Sequence, residues 1–130
     1  MFTDIGLHSP WYLIVRNIKG KGRGILTTMD IKKGTIICKC PIIPLSFEDT
    51  DLASKTILNY YLFDYDLGKR AVVLGLGSLI NHSDKPNSKW TIRTKQNEVV
   101  FWASRNIKIG EEITHNYNWD SRMWNGRSPK

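Results

Sequence analysis

Short runs of β-branched and aromatic residues, each closed within a few positions by glycine, proline or asparagine, recur along the chain. Tyr12 to Ile18, Ile25 to Thr28, Thr35 to Cys40 and Arg70 to Leu74 read this way. Trp90 to Thr94, Val99 to Ser104 and Glu112 to Tyr117 do so as well. Such side chains fit a pleated surface and the punctuating residues supply turns, so each run predicts a short strand. Pro41 and Pro44 are expected to end the third run, and Gln96-Asn97 marks a hairpin turn. Thr50 to Phe63 is the exception. Its Leu52, Ile57, Leu58, Tyr61 and Leu62 fall at mostly helical spacing, although the Tyr-rich end suits an extended strand equally well. The fold class is therefore mostly β, with many short strands and one or two short helices.

The sequence also echoes itself once. Met29-Asp30-Ile31-Lys32-Lys33-Gly34 matches Arg105-Asn106-Ile107-Lys108-Ile109-Gly110, and in both a strand-like run follows. Gly34 and Gly110 are expected to take the positive φ that other residues resist. Two units are too few for a repeat protein and suit two similar corners of one structure. A length of 130 residues predicts one domain, here read as residues 1–124 with a looser tail over 125–130. The longest apolar runs, Trp11 to Val15 and Val72 to Leu74, are far shorter than the ~20 residues of a membrane span. The first residues lack the charged and apolar regions of a secretory signal. No membrane partner is expected.

Nineteen Lys and Arg against twelve Asp and Glu give a net charge of +7, a balance that favours polyanions such as nucleic acid or nucleosomes. The basic charge gathers at Arg16, Lys19, Lys21 and Arg23, whereas Glu48, Asp49, Asp51, Asp64 and Asp66 share their stretch with Lys55 alone. The two groups suit two partners or an ordinary solvated surface. Cys38 and Cys40 stand one residue apart, poorly placed for a disulfide and too few for a zinc site even with His8, His82 and His115. They read as reduced, partly buried thiols of an intracellular protein, with no metal.

Three constellations carry chemistry. Gly22-Arg23-Gly24 follows a strand and lets the backbone approach a ligand, yet it lacks the further residues of a dinucleotide fingerprint or a P-loop. Asn81-His82-Ser83-Asp84-Lys85-Pro86-Asn87 runs from apolar residues straight into a dense polar loop. Its asparagines suit reading a polar edge or tying loops together, and His82 suits either a hydrogen-bonding or a chemical role. In Gly110-Glu111-Glu112-Ile113-Thr114-His115-Asn116-Tyr117 the adjacent carboxylates would face opposite sides of a strand and so form no acid/base pair.

In this order the three motifs resemble the SET-domain protein lysine methyltransferases, over about residues 12 to 124. The compact length, Tyr61-Leu62-Phe63 ahead of Leu74-Gly75-Leu76-Gly77, and Trp119-x-Ser121-Arg122 resemble the minimal SET proteins of chlorella-type viruses. The resemblance implies a β-clip of short sheets with a C-terminal pseudoknot beneath the Asn81–Asn87 loop. It implies S-adenosylmethionine as cofactor, held by Lys21, Gly22, Arg23, Gly24, Asn81, His82, Tyr117 and Trp119, and Tyr117 as the catalytic residue. It implies a lysine-containing protein substrate, with a histone tail the natural choice. Tyr60, Tyr61, Tyr65 and His115 are candidates for the substrate channel, the tyrosines suiting simple core packing equally. Trp119 suits a pocket cover or a hydrophobic anchor.

The chain departs from the family in three places. Asp84 replaces the usual cysteine, so no zinc-bound module follows there. His115 replaces a common Phe or Tyr that influences how many methyl groups are added. The family's early Tyr-x-Gly is not recognisable near Cys38 to Pro44. A cytoplasmic or nuclear location follows from the resemblance (the host nucleus if the source is viral). A nucleosome contact and a homodimer are compatible with it. The competing readings are a catalytically inactive SET-like module that binds basic tails or nucleic acid, and a basic aromatic nucleic-acid-binding β-protein. Only the enzyme requires the methyl donor.

Overall fold

The computed structural model describes residues 9–117. In chain order, strands β1 (Leu13–Ile18) and β2 (Gly22–Thr27) form a hairpin and β3 (Ile36–Pro44) follows. Helix α1 (Phe47–Ser54) and a 3₁₀ turn (Ile57–Tyr60) lead to the hairpin of β4 (Leu62–Asp66) and β5 (Lys69–Val73). A second 3₁₀ turn (Gly75–Leu79) precedes the two-residue strand β6 (Asn81–His82). The hairpin of β7 (Ser88–Arg93) and β8 (Glu98–Ala103) and then β9 (Glu112–His115) complete the described elements.

These strands make two sheets, one ordered β1-β2-β9-β6 and the other β4-β5-β3-β8-β7. All pairings are antiparallel except β6 with β9, which run parallel. Ile25, Ile37, Phe101, Ile107 and Ile113 are fully or almost fully buried in the common core, joined by Trp90. Cys38 and Cys40 lie within it as free thiols, and Cys40 Sγ accepts from the Gly77 N–H at 3.3 Å. The Cys38 thiol is raised far above its usual range, first by its contact with Cys40 and then by burial.

The echoed segments fold onto each other. Ile31 and Ile107 exchange two backbone hydrogen bonds of 2.8 Å. Asp30 Oδ1 accepts from the Ile109 N–H at 2.8 Å, and at the equivalent place Asn106 Oδ1 accepts from the Lys33 N–H at 2.9 Å. Gly34 and Gly110 both adopt φ +87°, as the turn chemistry predicts.

The mostly β expectation holds, with three local corrections. The helix begins at Phe47 rather than Thr50, because Ser46 Oγ caps the Asp49 N–H at 3.0 Å and Glu48 and Asp49 complement its first turn. It ends at Ser54, Tyr60 closes the 3₁₀ turn and β4 begins only at Leu62; Leu52 and Ile57 are exposed rather than core-facing. Strand β3 runs on through Pro41 to Pro44. Pro41 sits where β3 leaves β8 for β5, so its missing N–H interrupts neither ladder, and its carbonyl accepts from Leu74 at 2.9 Å.

Candidate active site

Segment 81–88 fastens β9 from above. Asn87 is almost fully buried; its Nδ2 donates to the Glu112 carbonyl at 2.8 Å and its Oδ1 accepts from the Thr114 N–H at 2.9 Å. Ser88 Oγ donates to the Thr114 carbonyl at 2.6 Å, and the Ser83 N–H donates to the His115 carbonyl at 3.0 Å. At the end of β9 the Tyr117 N–H donates to His82 Nδ1 at 3.0 Å. That contact places the His82 ring proton on Nε2, where Asp84 Oδ1 lies 3.0 Å away. The loop that stood out as polar thus satisfies backbone groups along one side of β9, and β2 pairs with the other side.

Where β2 meets β9, Glu112 acts as a hub. Its Oε1 accepts from Lys21 Nζ at 2.9 Å and its Oε2 from Asn81 Nδ2 at 2.8 Å. Asn81 Nδ2 also donates to the Arg23 carbonyl at 2.9 Å. These groups crowd Gly24, where a Cβ would lie 2.7 Å from Glu112 Oε2 and 2.8 Å from Asn81 Nδ2. Gly22 differs: it holds φ +77°, and a Cβ there would meet open space.

Two cavities flank this arrangement. One, of about 460 Å³, is lined by Lys21, Gly22, Arg23 and Asn81. The other, of about 210 Å³, is lined by Phe63, Trp90, His115, Asn59, Asp64 and Arg70 among others. Tyr60, Tyr61, Ser78 and Tyr117 line both. A charged, glycine-edged cleft and an aromatic pocket therefore share one wall, and Tyr117 stands in it. The match of residues 22–118 to the SET domain decides what this arrangement is. The chain belongs to the SET-domain family.

Its relatives within that family are consistent in kind. The chain is 33% identical over 119 residues to the H3 lysine-37-specific histone-lysine N-methyltransferase of Schizosaccharomyces pombe, covering 91% of this chain and 78% of the relative. It is 25% identical to the N-lysine methyltransferase KMT5A-A of Xenopus laevis, of which it spans 34% of the length. The fold also resembles a solved Plasmodium falciparum chain described as a candidate histone methyltransferase. The TM-score is 0.62 at 24% identity, covering 91% of this chain and 97% of that one.

In this SET domain, Tyr117 lies between two imidazoles, its ring centroid 5.0 Å from those of His82 and His115. Burial pushes its phenol above the usual range; Tyr61 and Glu112 add to the effect, while a backbone contact at His82 and the Lys21 ammonium oppose it. His115 is 3% exposed and stacks on Phe63 at 5.4 Å. Burial, then His82, lowers its pKa from 6.5 to about 4, against a smaller pull from the backbone at Asn116 and Ile80. It is a neutral, aromatic wall residue.

The structure brings together Lys21, Gly22, Arg23, Asn81 and Tyr117 at one cavity and Tyr60, Tyr61, His115 and Tyr117 at the other. Gly24 and His82 stand beside them through the contacts already given. Tyr65 is not among the lining residues; it packs against the buried core from β4. Trp119 lies outside the described residues. Sequence reasoning missed Glu112 and Arg70. The opposite-face reading of Glu111 and Glu112 was a usable signal, since Glu111 does turn to Arg105 and the Lys108 N–H while Glu112 turns to Lys21 and Asn81, which line the larger cavity. Among the described residues no three His, Cys, Asp or Glu converge as a metal site, and no helix is long and apolar enough to cross a membrane.

Proposed function

We propose that this SET domain transfers a methyl group from S-adenosylmethionine to a lysine side chain of a protein, with a basic histone tail as substrate. The observation that carries the reading is the meeting of two differently lined cavities at Tyr117. The methyltransferase names of the relatives support it.

The larger cavity suits a zwitterionic cofactor. Space is open where Gly22 lacks a side chain, and Lys21 and Arg23 bring positive charge for a carboxylate. Lys21, Gly22, Arg23, Gly24, Asn81 and His82 would hold it, with Tyr117 at the shared wall and Trp119 in the same assignment. Bound there, the cofactor supplies a sulfonium-activated methyl group. On the other side, Tyr61, Phe63 and Trp90 offer aromatic faces to an alkyl stem and its ammonium head. Neutral His115 adds no charge, and the apolar surroundings lower a lysine's pKa, which favours the nucleophilic free amine. Tyr117 keeps its proton, so its hydroxyl can orient the reacting groups without adding an anion. Holding two reactants against one wall supplies several kcal/mol of the barrier in such reactions. Asp64 at the pocket and Glu48 and Asp49 on α1 place negative charge near a basic tail. With this reading go a nuclear or cytoplasmic site of action, a build like the minimal viral-type SET proteins, and one domain over residues 1–124.

Calorimetric titration with S-adenosylhomocysteine tests the cofactor side, and methyl transfer to core histones tests the chemistry. Wild type should bind in the micromolar range, and Asn81→Ala should weaken binding about tenfold. Tyr117→Phe should bind normally yet lose roughly a hundredfold or more in transfer rate. A folded wild type that binds no S-adenosylhomocysteine would overturn the reading.

A further inference from the structure

The shared wall poses a mechanical problem. The 3₁₀ turn that carries Tyr60 has no buried residue, and Ile57 and Tyr60 are 73% and 77% exposed. Core packing therefore does little to hold Tyr60 and Tyr61 at the junction of the two cavities. Polar bonds from β5 do so instead. Arg70 Nη1 donates to Asn59 Oδ1 at 2.8 Å, and Nη2 donates to the carbonyls of Leu62 at 2.9 Å and Asn59 at 3.4 Å. The two tyrosines lie between these anchored residues. Arg70 is itself fixed: its N–H donates to Thr50 Oγ1 of α1 at 3.1 Å, and its carbonyl accepts from the Leu45 N–H at 2.9 Å. Asp64 Oδ1 lies 3.6 Å from Nε. The side chain is only 24% exposed, which strengthens charge-assisted bonds of this kind.

We infer that Arg70 is a positioning residue whose guanidinium brackets Tyr60 and Tyr61 and so sets the shape of the pocket that receives the lysine. The catalytic consequence rests on the methyltransferase reading; the mechanical one does not. The fork is essential, because one planar group reaches acceptors on both sides of the tyrosine pair and an ammonium on a flexible stem does not. Arg70→Lys should therefore behave as a loss despite keeping the charge.

Two readouts on the intact chain separate the claims. By hydrogen exchange, the Asn59 and Tyr61 amides, bonded to Thr56 and Leu58, should exchange about tenfold faster in Arg70→Lys, while the Thr114 amide under the Asn87 clamp stays unchanged. In methyl transfer to core histones, the KM for histone should rise about tenfold while kcat stays within about twofold. Asn59→Ala, on the exposed turn, should give a smaller effect of the same kind that does not add to Arg70→Lys, and it carries the test if Arg70→Lys fails to fold. Unchanged exchange at residues 59–61 in both variants overturns the inference. An inactive wild type overturns the enzyme reading, and the exchange result then decides the role of Arg70 by itself.

Discussion

The paired corners at residues 29–34 and 105–110 and the clasp at residues 81–88 both fasten segments far apart in sequence, but they do it in opposite ways. In the corners, two copies of one motif bond to each other: Asp30 to Ile109, Asn106 to Lys33, and Ile31 to Ile107 in both directions. Their donors and acceptors are spent on mutual support. The clasp is one-sided. Asn87, Ser88 and Ser83 reach for the backbone of β9 and His82 for the Tyr117 N–H just beyond it, while Glu112 turns its side chain to Lys21 and Asn81 and Tyr117 lines both cavities. Symmetric fastening yields rigidity, whereas one-sided fastening leaves the end of the strand free to present Tyr117 to both cavities.

The comparison can be broken first at Asn87. Asn87→Ala would leave the Thr114 N–H and Glu112 carbonyl without their partner in a buried place, a loss of about 3 kcal/mol or more in urea unfolding, together with methyl transfer. A variant of native stability would show that the clasp is ornamental. The next effect is conditional on pH. His115 is neutral in both states above pH 6.5, and between 6.5 and about 4 the unfolded chain binds a proton that the folded chain refuses. Stability therefore falls as pH drops through that window, by about 3 kcal/mol at most. His115→Phe keeps an aromatic ring against Phe63 and should flatten this fall when melting is compared at pH 7.5 and 4.5. Equal slopes in the two proteins would remove His115 as the cause. The smallest effect belongs to the corners. Gly34→Ala and Gly110→Ala meet open space and pay only for φ +87°, so each should lose about 1–2 kcal/mol, equally, with transfer retained. A marked inequality between them would deny that the corners are equivalent.

These same two regions differ in how far the sequence reveals them. The corners are legible because their glycines and isoleucines repeat at one spacing, and local turn chemistry suffices to place them. The loop at 81–87 is visible as a polar interruption, but its target is not: Asn87 bonds residues 25 and 27 positions away. Glu112 stays hidden for a similar reason, with partners 91 and 31 positions distant. Strand β4 escapes local reading because its hairpin turns on Leu67 and Gly68, and Leu67 takes a positive φ of 27° that sequence rules reserve for Asn or Gly. The apolar spacing in Thr50 to Phe63 misleads because Leu62 and Phe63 are buried as strand residues while Leu52 and Ile57 face solvent.

Strand β9 follows every other described element in the chain and enters between β2 and β6. During synthesis, the five-stranded sheet has all its strands once Ala103 is free of the ribosome, whereas the other sheet waits with a gap. Neither cavity is complete before Tyr117 emerges. Such long-range pairing is the slow part of folding, and here it coincides with assembly of the site. A nascent chain therefore lacks both cavities however much of its core has formed, and the two arrive together in a single late step.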